Sequence, residues 1–599
     1  MFLRCKKRRK DGKEHCYWSI VENRRIMDGR ILQRHVLYLG ELNGSQQASW
    51  RRTVELFSHD QSAPQQVSLF PEDHLPQSQD SSIPNVGIRL SHLRLERPRQ
   101  WGACWLGCEL WQQLGLDAFW SEKLPPGRQG ARWDQILQTL VLYRLIDPGS
   151  EWRLHRHWFD HSALADLLGA DFSLAEIHRL YECHDKLLEH KTALFDHLTE
   201  RWRTLFDAKF EVLLYDLTST YFESNPPENP DDIRRFGYSR DKRSDCVQVV
   251  IALIVTPDGF PIAYEVLSGN TTDKTTLADF LKKIETQYGK ADRIWIMDRG
   301  IPTEETLLQM RQSDPPVSYL VGTPKGRLTT LEKSLLDMPW HIARPSVKVK
   351  LLARDGETYV LAHSEDRIAK ERSMRRRRLR KYLKTLADLT TRKRPLKRDE
   401  LHQALGAAKK GAGRDARHVK VQVTLHGEGK TQTATLTYQL DRHTLRVARR
   451  REGRYLLRAN LADTDPVKMW EHYLQLTEIE QAFKELKGDL SIRPIHHQLE
   501  ERIKAHIFIS FLSYCLQVTL KARLKRCASG LTPRAVLEKF AAVQLLDVHL
   551  PTTDGREIVL IRHTQPEKDL QILLHQLQLT LPEQAPPKIK APAPAPPMK

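Results

Sequence analysis

The spacing of apolar residues divides the chain into strand-like and helix-like stretches. Residues 14–40 alternate apolar and polar positions on both sides of Asp28-Gly29, which predicts a hairpin of two strands. Apolar residues recur at helical spacing over residues 101–206. Short apolar runs separated by helical patterns follow. The pattern therefore predicts an α/β protein that begins with a small β unit and a helical segment.

Within the helical segment, Ser173 and Glu176 predict a capping box ahead of a long helix that reaches Leu205. Four basic residues of this segment fit a solvated face as well as contacts to an acidic partner: Arg144, Arg153, His155 and Arg156.

The core of the protein is predicted from residues 210–323. A turn at Pro257-Asp258-Gly259 makes its second and third strands antiparallel, whereas the helices that follow imply parallel crossovers. The predicted elements are the strands Phe210–Asp216, Val247–Val255 and Ile262–Leu267, the helix Thr275–Tyr288, the strand Ile294–Asp298, the helix Thr303–Ser313 and the strand Ser318–Thr323. They describe a mixed sheet flanked by helices.

About 150 residues separate this core from the next helical pattern, too many for a plain connection, so an inserted domain is predicted. A hairpin at Asp355-Gly356 begins it. Further strands are expected at Val419–Leu425, Thr433–Leu440, Thr444–Val447 and Tyr455–Arg458. Fifteen Lys or Arg residues lie between Arg367 and Arg398, a density expected of a surface that follows phosphates.

These patterns give the expected organisation of the chain. The predicted segments are a small β unit (1–42), a polar linker (43–86), a helical domain (87–206), the first part of the mixed-sheet core (207–324), a β-rich basic insertion (325–463), the last part of the core (464–545), a C-terminal segment (546–582) and a Pro/Ala-rich disordered tail (583–599).

The stretch from Trp470 to Lys487 reads as one helix with a polar line along it. Tyr473, Glu480 and Lys487 are spaced by sevens, so each falls within about 20° of the last. Asp465 is the expected N-cap, ahead of Pro466. A carboxylate beside a packed helix face needs a partner, and a divalent cation is one.

Two further carboxylates follow apolar, strand-like runs. Asp216 comes after Val212–Leu214, and Asp298 comes after Ile294–Ile296. Each alone would more often be a turn or cap residue. Together with Glu480 they form an oxygen-ligand set suited to Mg²⁺.

The net charge of +19 favours an acidic partner, nucleic acid before membrane. The N-terminus is basic but lacks the apolar core of a signal peptide, and no apolar run approaches the roughly 20 residues that a membrane span needs. The expected location is the cytoplasm.

At these residues the sequence resembles bacterial insertion-sequence transposases of the DDE class, in the group with a Y-(2)-R-(3)-E-(6)-K signature. Tyr473, Glu480 and Lys487 match that signature, and Leu476 stands where the group has Arg. The stretches YDLTSTYFE, MDRG, GYSRDKRSD, PIAYEVLSGNTTD and IRPIHHQLEERIKAH also resemble this group.

The resemblance implies a ribonuclease-H-like fold and a site in which Asp216, Asp298 and Glu480 are catalytic and bind two Mg²⁺ ions, with Mn²⁺ as a substitute. Tyr473 and Lys487 would hold phosphate oxygens near the scissile bond. Ordinary solvation of Lys487, or a pair between Glu480 and Lys484, is also open.

Arg493 is expected near the same site, with His496 and His497 after it. Contacts to DNA phosphates and a capping or packing role are both open for these three. His506 lies among apolar helix residues and is expected to be a core histidine.

The implied reaction is cleavage of double-stranded DNA at the terminal inverted repeats of an element, followed by attack of the freed 3′-OH on target DNA. The helical domain would recognise the DNA ends, and a homodimer would bring two ends together. Two alternatives stay open: a ribonuclease-H-like nuclease without strand transfer, and an inactive derivative that only binds DNA.

Overall fold

The computed structural model describes the chain except for residues 11–12, 26–30, 45, 49, 52–53, 55–86, 128–129, 272–285, 287–292, 299–300, 324–330, 332–333, 336–337, 393–395, 427–432, 462–464 and 591–599. The chain forms two compact units. The first consists of Met1–Lys6, Cys16–Arg293 and Leu476–Lys599, and the second of Lys7–His15 and Ile294–Gln475.

The strands are β1 (Phe2–Lys10), β2 (Lys13–Arg25), β3 (Ile31–Gly40), β4 (Arg94–Gln100), β5 (Val212–Tyr221), β6 (Gln248–Val255), β7 (Pro261–Ser268), β8 (Ile294–Met297), β9 (Ser318–Thr323), β10 (His341–Arg344), β11 (Val347–Arg354), β12 (Glu357–Ser364), β13 (Leu396–Lys397), β14 (Val419–His426), β15 (Thr433–Leu440), β16 (Arg454–Ala459), β17 (Gln544–Pro551), β18 (Glu557–His563) and β19 (Lys588–Lys590).

The main helices are α1 (Gly102–Gln113), α2 (Leu116–Lys123), α3 (Trp133–Ile146), α4 (Leu164–Leu168), α5 (Ile177–His184), α6 (Lys191–Phe206), α7 (Glu304–Gln312), α8 (Glu365–Thr390), α9 (Arg398–Ala412), α10 (Arg442–Arg450), α11 (Pro466–Leu474), α12 (Leu476–Lys487), α13 (Glu500–Cys527), α14 (Pro533–Phe540) and α15 (Lys568–Gln576).

The two predicted N-terminal strands are present, since β2 and β3 pair antiparallel. Their Asp28-Gly29 turn lies outside the described residues. The unpredicted β1 adds a third strand.

Part of the predicted linker is packed, because Trp50 and Val54 are buried and the Trp50 indole donates a 3.0 Å hydrogen bond to the Ser529 carbonyl. Most of the rest of that linker lies outside the described residues.

Helices α1 to α6 confirm that residues 101–206 are mainly helical. The predicted capping box at Ser173 and Glu176 is wrong. Asp171 accepts the Ser173 backbone N–H at 2.9 Å and starts a short 3₁₀ turn, so no long helix begins there. The expected long helix is instead two helices, α5 and α6. Arg144 is 4% exposed, so it is not part of a solvated face.

The sheet of the first unit that carries Asp216 has β6 between β5 and β7, and both pairs are antiparallel. The antiparallel pairing of β6 with β7 confirms the prediction from the turn at Pro257-Asp258-Gly259. Every residue of β6 is buried. The predicted helix Thr275–Tyr288 lies almost entirely outside the described residues.

Helix α13 is the central helix of the first unit and packs against α3. Among the described helices it alone has the length and apolar composition of a membrane span, which corrects the expectation that no apolar run comes close. However, 94% of its apolar window is buried within the protein, as in a core helix.

A second sheet of the first unit joins distant parts of the sequence, in the order β19-β18-β17-β4. None of its four strands was predicted from the apolar pattern. β4 precedes the helical segment and pairs with β17. β19 lies in the predicted disordered tail and pairs with β18, so the first residues of that tail are ordered, and residues 591–599 lie outside the described part.

The second unit is built on a mixed sheet in the order β10-β11-β12-β16-β9-β8. β8 and β9 are parallel, as the intervening helix α7 predicts, and the other neighbours are antiparallel. The hairpin predicted at Asp355-Gly356 is confirmed, and both residues have positive φ, 55° and 74°. Strands predicted for the insertion thus extend the sheet that begins with β8 and β9.

The remainder of the predicted insertion is more helical than expected. The basic segment is the 26-residue helix α8, which packs with α9 and the strands β13 to β15 around a separate apolar cluster. The strand predicted at Thr444–Val447 is wrong, because these residues belong to α10. Asp441 caps that helix by accepting the backbone N–H groups of His443 and Thr444 at 3.0 and 3.1 Å.

Candidate active site

Asp216 lies in the middle of β5, where the sequence pattern predicted the end of a strand. The strand continues because Thr218 and Thr220 are β-branched and pair with β6. Asp216 itself is half-buried, between the buried Tyr215 and Leu217. Its Oδ1 accepts the Leu217 backbone N–H at 2.8 Å.

Glu480 lies on α12, which packs against β5 and β6 in the first unit. Ile479, Phe483 and Leu486 form the buried stripe of this helix, as predicted. The Glu480 side chain is exposed, on the solvent side of that stripe. Asp216 and Glu480 are therefore on neighbouring elements of one unit.

The predicted single helix from Trp470 to Lys487 is wrong, because it is interrupted at Gln475. The Gln475 backbone N–H bonds to the His472 carbonyl at 3.1 Å, three residues back, which closes α11. The polar line thus does not follow one helix. Asp465 caps α11 as expected, with its Oδ1 2.8 Å from the Val467 nitrogen.

Tyr473 is on α11, in the second unit, and it is partly buried with its ring centroid 6.2 Å from that of Tyr455. Leu476, which replaces the expected Arg, is partly buried at the start of α12.

Asp298 is also in the second unit, directly after β8, where the sequence predicts a strand end. Its side chain is exposed. Its backbone carbonyl accepts the Ile301 N–H at 3.2 Å, so the chain turns immediately after the carboxylate. The next two residues, including the expected Gly300, lie outside the described part of the chain.

Lys487 and Arg493 converge on one carboxylate that the sequence analysis did not single out, that of Asp241. Lys487 Nζ lies 2.9 Å from Asp241 Oδ1, and the Arg493 guanidinium forms an ion pair with the same oxygen. The Asp241 side chain is 9% exposed. Asp241 is part of the stretch GYSRDKRSD. An acidic residue among several basic ones is the feature of the sequence that could have drawn attention to it.

The charges of this cluster, Asp241-Lys487-Arg493, are set by burial and pairing together. Burial raises the pKa of the Asp241 carboxyl, but the hydrogen bonds from Arg493 and Lys487 outweigh it and hold the pKa below its usual value. Burial lowers the pKa of the Lys487 ammonium, against the opposing effect of Asp241. One carboxylate between two cations leaves a net positive charge.

The second unit offers a basic surface on α8, with Arg376, Arg380 and Lys384 exposed. Beside this helix is a cavity of about 560 Å³ with a largely charged lining. Its charged and imidazole residues are Glu371, Arg375, Arg378, Arg414, Asp415, Arg417, His418, His443, Arg451 and Glu452. Cations outnumber carboxylates in this lining, which suits an anionic partner.

Comparison with known proteins places these residues in a family. Residues 207–516 match the model of the transposase DDE domain, and residues 3–62 match that of the IS1634 family transposase N-terminal domain. No curated protein matches the chain.

One similar solved structure is the cryo-EM structure of the piggyBac transposase synaptic complex with hairpin DNA. The likeness covers 76% of this chain and 82% of that chain at 8% sequence identity, with a TM-score of 0.35. The DDE match spans more than half of the sequence and includes Asp216, Asp298, Glu480, Lys487 and Arg493. The chain therefore belongs to the DDE transposases of insertion sequences, enzymes that cleave DNA and transfer its strands with the help of a divalent metal ion.

Proposed function

We propose that Asp216, Asp298 and Glu480 are the catalytic carboxylates of this transposase and its ligands for two divalent ions. The observation that carries this is their position inside the matched DDE domain. Asp298 and Glu480 have exposed side chains, and Asp216 is half-buried in a strand against which the Glu480 helix packs. A donor set made only of carboxylate oxygens fits a hard cation such as Mg²⁺, with Mn²⁺ as a substitute.

When bound, such ions activate a water or hydroxyl oxygen and stabilise the leaving 3′ oxygen of a phosphodiester. The side chains around these carboxylates would position the DNA. We assign Lys487, Arg493 and Tyr473 to the DNA phosphates next to the scissile bond. Asp241 holds the Lys487 ammonium and the Arg493 guanidinium at one point, and misplacement of such groups by about 1 Å can cost on the order of 100-fold in rate.

The substrate in this proposal is double-stranded DNA that carries the terminal inverted repeats of the element, followed by target DNA. The net charge of +19 supports it. A homodimer would hold two ends, and the enzyme would act in the cytoplasm. The antiparallel β5-β6-β7 and the parallel β8-β9 fit a ribonuclease-H-like core.

The test is cleavage of a duplex with the inverted repeats that flank the gene, in Mg²⁺ and in EDTA. We expect Glu480→Gln and Asp216→Asn to lose cleavage by at least 100-fold while binding the duplex normally. Glu478→Gln is the matched control, because Glu478 lies on the same helix and pairs with Lys521 at 3.0 Å. Cleavage by folded Asp216→Asn at more than one hundredth of the wild-type rate would contradict the metal-ligand assignment.

The same assay separates the alternatives. A joined product with target DNA identifies strand transfer, whereas nicking without joining identifies a nuclease. Specific binding without cleavage in any metal identifies an inactive derivative, and Leu476→Arg is then the first variant to test for recovery.

A further inference from the structure

Four buried side chains of the first unit meet away from the three proposed catalytic carboxylates. Glu151 follows α3, His184 ends α5, His497 precedes α13 and His506 lies in α13. Their side chains are between 0% and 8% exposed. Glu151 Oε1 lies 3.4 Å from His184 Nε2, 3.4 Å from His497 Nε2 and 3.9 Å from His506 Nδ1.

The hydrogen bonds of two of the imidazoles determine which nitrogen is free to act as a ligand. His184 Nδ1 donates to the Leu180 carbonyl at 2.8 Å, and His506 Nε2 donates to the Ile492 carbonyl at 3.2 Å. In a neutral imidazole the other nitrogen then carries a lone pair. Those nitrogens face the Glu151 carboxylate, and both are buried without a hydrogen-bond partner among the described residues.

Lone pairs that face a carboxylate repel it unless a cation or a proton lies between them. The His497 Nε2–Glu151 Oε1 contact is a long hydrogen bond at 3.4 Å, whereas His184 Nε2 and His506 Nδ1 make none among the described residues. Ligands about 2.0–2.1 Å from a tetrahedral metal ion are roughly 3.4 Å apart. The ligand atoms of Glu151, His497 and His506 all lie within 4.8 Å of one another, so one ion could bind these three after a small contraction.

We propose that Glu151, His497 and His506 bind a transition-metal ion, with Zn²⁺ as the expected ion. Imidazole nitrogen suits Zn²⁺ far better than Mg²⁺, and three protein ligands leave one position of a tetrahedral ion for a further ligand. The second nitrogen of His506 is fixed by a backbone carbonyl, as is usual for metal-bound histidine. This site is independent of the proposed catalytic carboxylates.

The elements that meet at this site indicate its role. Glu151 comes from the helical segment before the DDE domain, and His497 and His506 come from the chain after α12. The connection between α12 and His497 also carries Arg493, which pairs with Asp241. A bound ion would therefore fix the segment that positions Arg493.

Two nearby cations oppose a metal ion here. Arg144 and Arg493 line a cavity of about 180 Å³ together with Glu151, His497 and His506. Arg144 is 4% exposed and donates to the Ser491 carbonyl at 3.2 Å, whereas Arg493 is paired with Asp241. The ligand bonds have to outweigh repulsion from the Arg144 guanidinium above all, which makes measured metal content a decisive test.

The experiment uses the full-length chain without an affinity tag, loaded with Zn²⁺, desalted and analysed for metal by mass spectrometry. We expect about one Zn²⁺ per chain, and with Co²⁺ the intense visible absorption of a tetrahedral site. His497→Gln and Glu151→Gln should lose the ion. His197→Gln is the matched control, because its Nε2 instead contacts the Leu114 carbonyl at 2.8 Å, and it should keep the ion.

Near-UV circular dichroism establishes that the variants are folded. Asp216→Asn should keep the Zn²⁺, so failure of this site and failure of the proposed catalytic site give different results. Folded wild-type protein that retains no Zn²⁺ would overturn the proposal. The cluster would then be a group of buried polar side chains bridged by water. Equal metal content in wild type and both ligand variants would also overturn it.

Discussion

At the scale of single residues, Asp241 pairs with both Lys487 and Arg493, two residues that nothing in the sequence connects. The sequence offered Lys487 and Arg493 as separate candidates for contacts to DNA phosphates, and the structure brings both to this one carboxylate. Such convergence cannot be predicted from spacing, because Asp241 and Lys487 are 246 residues apart. The position of Asp298 at the end of a strand could be predicted, because an apolar run followed by a turn signal marks a strand end.

Replacing Asp241 with Asn tests whether it positions the two cations. The variant frees Lys487 and Arg493 from their shared carboxylate and removes one negative charge, so we expect DNA binding as tight as wild type or tighter. Cleavage should fall by at least tenfold, because both cations lose their fixed place. Asp245→Asn is the control, since Asp245 pairs with the partly exposed Arg243 at 3.0 Å. Equal cleavage rates for the two variants would remove Asp241 from the site.

At the scale of elements, apolar spacing predicted most strands of both units, and the errors have local causes. Thr444–Val447 reads as a strand because Thr and Val are β-branched, but the Asp441 cap starts a helix there. The break at Gln475 has no Gly or Pro to announce it. All four strands of the β19-β18-β17-β4 sheet were missed. For β4 the reason is not local, because its partner β17 lies near the other end of the sequence.

The start of α8 provides a prediction at this scale. The Ser364 hydroxyl oxygen accepts the Arg367 backbone N–H at 3.3 Å as the N-cap of this basic helix. Ser364→Ala should destabilise the helix by about 1 kcal/mol, so amide hydrogen exchange in α8 should quicken about fivefold where it occurs by local opening. Thr385→Ala, in mid-helix, removes a hydroxyl without removing a cap and should leave exchange unchanged or slower. Unchanged exchange in Ser364→Ala would mean that the cap contributes nothing.

At the scale of the whole molecule, the charge of +19 predicted a nucleic-acid partner before any element was placed, and the family match agrees. Net charge does not say where DNA lies. Fifteen cations between Arg367 and Arg398 indicate the second unit, where α8 carries most of them. The first unit also has exposed cations, but several are paired with carboxylates, as Lys123 with Glu122, Arg203 with Glu200 and Lys525 with Asp258.

Two triple variants with the same change of net charge test whether DNA affinity depends on the cations of α8 or on the total charge of the protein. If α8 follows the DNA backbone, replacing Arg376, Arg380 and Lys384 with Ala removes up to three phosphate contacts. The slope of log K against log salt concentration should then become shallower by up to about 3, since each contact contributes about 0.9. Replacing Lys123, Arg203 and Lys525 with Ala should leave the slope near that of wild type, because their charges are already compensated by neighbouring carboxylates. Binding of a duplex of fixed length, measured by fluorescence anisotropy between low and physiological salt, gives both slopes. Equal shifts in the two triple variants would show that total charge, rather than the α8 surface, determines DNA affinity.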